Sequence, residues 1–247
     1  MEFALVSLAP GLALGGFLNV VAARVPQRRS IVKPPSTCMS CGSRVAARDS
    51  VPVLSWLLLR GRCRHCGVRI SPLYPAVELT TAALVAACVL AFGVSGEMLV
   101  AAFFCAVLVA VSAIDLIHRI IPNRIVIPAF VAVLVAQTLL QPGPEWALGA
   151  LGAAGFLFLA ALAYPAGMGM GDVKLALLMG AALGKAVAVA LMLGMVSAVV
   201  PAVFLLARHG SKARKMGIPF GPFLALGSVV ALFWGDALLG AYLAFLT

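Results

Sequence analysis

Charge is scarce in this sequence, and acid is scarcest. Only 11% of the 247 residues are charged and only eight are acidic, whereas an average soluble domain is about 25% charged. So few charges do not cover the surface of a water-soluble fold of this size. There is no long low-complexity tail and no 20–50-residue repeat. No glycine-rich fingerprint sits on a βαβ pattern, so no dinucleotide-type cofactor cradle is legible. The first apolar run is not expected to be a cleavable signal peptide, since it opens with Glu2 and has its basic residues after it. The net charge of +10 would suggest nucleic acid on a soluble protein, but the distribution of charge argues against that partner.

What is present is apolar sequence in membrane-length runs. Hydrophobic residues make up 63% of the chain and the mean hydropathy is +1.11. A span needs about 20 such residues. The runs predict spans at about 3–22, 74–93, 97–115, 124–141, 146–165, 173–184, 186–207 and 221–246. The sixth is short for a bilayer. Eight alternating spans, with Arg24, Arg28, Arg29 and Lys33 holding the end of the first inside, place 17 of the 18 Lys/Arg side chains on the cytoplasmic side. Only Lys185 falls outside. A seven-span path would carry Arg208, Lys212, Arg214 and Lys215 outside, which favours keeping the short span. These basic residues also suit anionic lipid head groups. The expected fold is therefore an all-α polytopic membrane protein of about eight transmembrane helices, with a small cytosolic four-cysteine domain between the first and second. Its parts are the first helix (1–22), the four-cysteine domain (23–73) and the transmembrane core (74–247).

The polar segment holds four of the six cysteines. Cys38-Met39-Ser40-Cys41-Gly42 and Cys63-Arg64-His65-Cys66-Gly67 are two CxxCG units. Two intervening residues let a tight turn aim both sulfurs at one ion, and the following glycine permits the left-handed backbone that closes it. Four thiolates so spaced point to a closed, structural zinc site at Cys38, Cys41, Cys63 and Cys66. Two disulfides or a redox pair are the alternatives, and a cytosolic location disfavours them. In so small a domain, metal would supply much of the folding energy. His65 is expected to be an exposed knuckle residue. Cys88 and Cys105 lie in apolar runs and are expected to pack as small hydrophobes.

The eight acids are Glu2, Asp49, Glu78, Glu97, Asp115, Glu145, Asp172 and Asp236. Asp115 ends the third span and Asp172 begins the sixth. Two complete spans lie between them, so both carboxylates meet the membrane at the same, cytoplasmic face. An ionisable group at membrane depth costs at least ~2.5–3.5 kcal/mol at a helix centre, and less near the interface, so it needs a partner or a watery cavity. Two neighbouring carboxylates do not both ionise easily; they share a proton. One can then activate water while the other donates to an amide carbonyl oxygen. The run Gly167-Met168-Gly169-Met170-Gly171 before Asp172 would let an extended peptide approach closely. Proton or ion transport is the rival reading, since paired membrane carboxylates also mark proton relays. Glu78 is expected to orient substrate or to bond backbone at a helix end, and Lys174 to anchor at the interface.

At these residues the chain resembles the type IV prepilin peptidases, the leader peptidase/N-methyltransferase family of GxGD-type membrane aspartic peptidases. The resemblance runs nearly end to end. It takes in Gly16-Phe17-Leu18-Asn19-Val20-Val21 with Arg24 and Pro26, both CxxC pairs, and Ile70-Ser71-Pro72-Leu73-Tyr74-Pro75 leading to Glu78. It continues through Asp115, Ile121-Pro122-Asn123, the glycine run to Asp172 and Lys174, and Ile218-Pro219-Phe220-Gly221-Pro222-Phe223. It implies a multi-pass protein of the bacterial cytoplasmic (inner) membrane, with Asp115 and Asp172 as the catalytic pair and the four cysteines as a metal site. It also implies cleavage of a basic leader from type IV prepilin or pseudopilin precursors, and N-methylation of the new N-terminus with S-adenosylmethionine.

Overall fold

The computed structural model describes residues 2–33, 36–164, 168–210 and 217–246. Among these the regular structure is helical, with no strand beyond two isolated bridges. The helices are α1 (Glu2–Arg24), α2 (Leu54–Leu58), α3 (Leu73–Phe92), α4 (Gly96–His118), α5 (Asn123–Leu140), α6 (Glu145–Ala163), α7 (Met170–Leu183), α8 (Val187–His209) and α9 (Gly221–Leu246). Seven segments are long and apolar enough to cross a membrane, and one of them, Met170–Arg208, is 39 residues long. That segment contains both α7 and α8, joined by a 3₁₀ turn at Gly184–Ala186.

The chain reverses at that turn. Lys174 of α7 reaches Asn123 at the start of α5, and Gln137 of α5 reaches the carbonyl of Ala182 at the end of α7, so α5 and α7 run parallel. A Cβ on Gly194 would lie against Leu224, and one on Gly235 against Ala186, so α8 and α9 run antiparallel. The start of α9 meets Asp115 at the end of α4, and the start of α7 meets Ile121 just beyond it. α7 and α9 therefore start at the same end, and α8 returns between them. Among the described residues this gives eight apolar helices, the number expected from the charge distribution. At 14 residues, α7 spans only about 21 Å, short of a ~30 Å hydrocarbon core.

The chain forms two compact units, residues 1–114 and 115–247. In the first, α1 and α3 pack antiparallel through small residues. A Cβ on Gly11 would lie 2.7 Å from the Cα of Ala82, and one on Gly15 would lie 2.5 Å from the Cα of Glu78. This is the small-xxx-small device by which membrane helices approach closely. Cys88 and Cys105 are both buried in this unit, as expected of small core hydrophobes. In the second unit, Gly180 of α7 faces the carbonyl of Gly149 in α6, and Gly227 of α9 faces that of Ala190 in α8. Large apolar side chains such as Leu151, Leu159, Phe204 and Phe245 are exposed, as lipid-facing residues are. Lys212, Arg214, Lys215 and Gly167 lie outside the described residues. Lys185, the single basic residue expected on the opposite side, pairs with Asp236 at 3.7 Å, which accounts for that acid within the last span.

Candidate active site and metal centre

α4 runs one turn further than the apolar pattern suggests. Asp115 is therefore not terminal: its carbonyl accepts the Arg119 N–H at 2.9 Å. The side chain is buried, with 5% of its surface exposed. Its Oδ2 accepts the backbone N–H of Gly221, the first residue of α9, at 2.9 Å. A buried carboxylate needs such a donor. The approach requires glycine, because a Cβ at position 221 would lie 2.9 Å from that oxygen.

Asp172 lies in the first turn of α7. Its Oδ2 accepts the Gly169 N–H at 3.2 Å, which is one half of a capping box. A carboxylate is also favoured there by the positive end of the helix dipole. Gly171 lets this turn close on Ile121, since a Cβ at position 171 would lie 2.9 Å from the Cβ of Ile121. Asp172 thereby comes within electrostatic range of Asp115. Both aspartates belong to the second unit, at the end where α5, α7 and α9 start. The span count alone predicted this common level.

The structure adds contacts at three positions, and at Glu78 it shows the second of the two expected roles, bonding backbone at a helix end. Lys174 points away from Asp172, as helical geometry requires, but it does more than anchor: its Nζ donates to Asn123 Oδ1 at 3.0 Å and ties α7 to α5. Gly221 was visible only as part of a motif after a basic loop, and nothing local marked it as a donor to Asp115. Glu78 proves to be a backbone binder. Its Oε2 accepts the Val53 N–H at 2.7 Å and its Oε1 accepts Asn19 Nδ2 at 3.2 Å.

The four cysteines of the polar segment converge. Their sulfurs all lie within 4.8 Å of one another, and those of Cys38 and Cys66 are 3.8 Å apart. Sulfurs ~2.3 Å from a central zinc in tetrahedral array are about 3.8 Å apart, so the donor set fits that ion. Both CxxCG units fold the same way. Gly42 N–H bonds the Cys38 carbonyl and Gly67 N–H that of Cys63, each at 2.9 Å. The glycines take φ of 71° and 70°. Each hairpin is closed by a bridge, Thr37 to Arg44 and Arg62 to Arg69. The Ser43 hydroxyl and its backbone N–H lower the Cys41 thiol to about 6. The backbone N–H groups of Cys66 and His65 lower Cys63. At Cys66 the Val68 N–H acts in the same direction, but desolvation and the neighbouring thiols prevail and push it up to about 11. A cation at the centre would offset that crowding by holding all four as thiolates. His65 is exposed and takes no part in the cluster.

Comparison with known proteins gives two family matches. Residues 10–92 match the bacterial peptidase A24 N-terminal domain, and residues 102–206 match the type IV leader peptidase family. A Bacillus subtilis (strain 168) protein named prepilin leader peptidase/N-methyltransferase is 40% identical over 94% of this chain and 95% of its own length. A protein of the same name from Burkholderia pseudomallei (strain 1026b) is 35% identical, over 91% of this chain and 83% of its own. Another, from Aeromonas salmonicida (strain A449), is 34% identical over 99% and 94%. No solved structure matches.

Proposed function

Because the chain belongs to the type IV leader peptidase family, we propose that it is a membrane-embedded aspartic endopeptidase. It removes the basic leader from type IV prepilin or pseudopilin precursors and methylates the exposed N-terminus with S-adenosylmethionine. Asp115 and Asp172 are the catalytic pair. The supporting observation is their placement: two carboxylates at one end of one helical unit, in electrostatic range, each oriented by a backbone N–H. The pair shares one proton. The ionised member takes a proton from water as the oxygen attacks the scissile carbonyl, and the protonated member donates to the carbonyl oxygen. Collapse of the tetrahedral intermediate then returns a proton to the leaving amine.

Cys38, Cys41, Cys63 and Cys66 hold a structural zinc. With all four positions filled by sulfur it stays apart from the hydrolysis and contributes folding energy to residues 36–72. The charge of the basic loops argues that the four-cysteine segment and the aspartate pair each face the cytoplasm from the inner membrane. The test is incubation of the purified protein with a precursor pilin and S-adenosylmethionine, reading the N-terminal mass. Loss of the leader and gain of one methyl group is the expected product. Proton flux through liposomes with the precursor left intact would favour the transport reading instead.

A further inference from the structure

One region is explained neither by peptide cleavage nor by the thiolate cluster. α2 is a five-residue helix, Leu54–Leu58, with three leucines on one face at the i, i+3, i+4 spacing. Leu54, Leu57 and Leu58 are 59%, 58% and 83% exposed. Beside it lies an open cavity of about 520 Å³ lined by Trp56, Arg60, Arg62, Arg69, Ser71 and Pro72, with Gly61 and Ile70 completing it. Trp56 is fixed there by donating its Nε1–H to the Ile70 carbonyl at 3.2 Å. The three arginines are exposed. Asp49 is the only acid among residues 23–73, and Arg64 occupies it with contacts of 2.6, 2.9 and 3.2 Å. No carboxylate in that segment remains for the other three.

Depth in the membrane distinguishes this cavity from an ordinary basic surface. Val53, immediately before α2, donates its N–H to Glu78, and Glu78 is held by Asn19. Glu78 is five residues inside α3 and Asn19 five residues from the end of α1, so each lies about 7.5 Å along its helix. The Pro52 ring sits over Gly16, deeper still, where an added Cβ would lie 3.7 Å from it. Val53 takes a φ of 59°. A β-branched residue keeps that conformation only where its surroundings over-determine it. The start of α2 is thus pinned below the ends of two spans, while Ser71 and Pro72 line the cavity directly before α3 begins. Exposed leucines on a helix whose start is pinned against two spans, with arginines and a tryptophan lining the cavity beside it, match the residue pattern of an interfacial anchor.

We propose that α2 lies in the membrane interface and that the cavity beside it binds the phosphate head group of an anionic phospholipid from the same leaflet. The leucines contact the acyl chains, and Arg60, Arg62 and Arg69 hold the phosphate. Charge complementarity excludes a basic peptide. The inference rests on α1 and α3 spanning the membrane and not on the peptidase reading, and its assay reads lipid alone. The full-length protein is placed in nanodiscs of phosphatidylcholine with about one part in ten phosphatidylglycerol, extracted gently and weighed by native mass spectrometry. Retention of phosphatidylglycerol over phosphatidylcholine is expected. The R60Q/R62Q/R69Q variant should lose it by roughly tenfold or more, while the R28Q/R29Q/K33Q variant should keep it. Equal retention by the first variant, or equal loss by the second, overturns the site. Should the first variant not fold, hydrogen exchange on the wild type decides: residues 54–72 must be more protected in the mixed nanodiscs than in pure phosphatidylcholine, and no difference overturns the proposal. S-adenosylmethionine bound by lipid-stripped wild type and lost in R60Q/R62Q/R69Q would also overturn it, by giving the cavity another ligand.

Discussion

The four-cysteine segment and the helical unit of residues 115–247 keep their shapes by opposite means. The segment has little interior. Ser55 and Gly61 are buried, but Met39, Val45, Val51 and Leu54 are exposed. Its order comes from turns closed by backbone hydrogen bonds and from four sulfurs drawn to one point. Among its described residues the helical unit has no such centre. It is held by shape, with Gly149 against Gly180 and Ala190 against Gly227, and with fully buried Leu157, Leu175, Leu178, Met179 and Leu224 between the helices. A small polar segment can be organised by chemistry at one point, whereas helices in lipid, which gain nothing from hiding apolar surface, must fit one another.

That contrast can be broken from either side. The largest effect is expected in the helical unit. Gly180→Val would drive a branched side chain into the Gly149 carbonyl and separate α6 from α7, costing at least about 3 kcal/mol. Thermal melting in detergent should show it as a greatly lowered midpoint or as failure to accumulate, with zinc content per surviving chain unchanged. Cys41→Ser should do the reverse. Metal content falls and residues 36–72 become protease-sensitive, while the helices persist, because their backbone hydrogen bonds are satisfied internally. Cys88→Ser, outside the cluster, should leave metal content intact. Metal analysis with limited proteolysis distinguishes these cases.

Smaller changes sharpen the contrast. Gly221→Ala places a methyl group against the Asp115 carboxylate. It should slow precursor cleavage by roughly tenfold or more through misplacement of one reacting group while the melting midpoint shifts little. Asp49→Asn should have the smallest effect. The Arg64 guanidinium holds the Asp49 carboxyl below its ordinary range, so the pair contributes above that range and its contribution fades as pH falls through the depressed value. At neutral pH the variant should be slightly more protease-sensitive in the cysteine segment. The difference should shrink with added salt, because the pair is solvent-exposed.

Legibility in the sequence follows the same division. Spans were readable because lipid imposes length and apolarity, and the short α7 was recoverable because a seven-span path would split the basic loops between two sides. The knuckles were readable because CxxCG carries its turn within itself. The common level of Asp115 and Asp172 needed only parity of spans. What sequence hid were contacts between distant positions: Gly221 to Asp115, Lys174 to Asn123, and Val53 to Glu78. In each, the partner is set by how helices or loops dock, and no local spacing encodes that. The extra turn of α4 was hidden for a related reason: His118 and Arg119 look like a loop, although the carbonyl of Asp115 still finds a donor there.

The central claim is that the carboxylates of Asp115 and Asp172 act together on a peptide bond. The most direct measurement is the N-terminal mass of a precursor pilin after incubation with purified wild type, Asp115→Asn and Asp172→Asn, each first checked for folding by its melting midpoint. An amide occupies the same space but neither accepts water's proton nor shares one with its neighbour. The account predicts a leaderless product from the wild type and intact precursor from both variants, a loss of at least ~10²–10⁴-fold. Near-normal leader removal by either folded variant would contradict it.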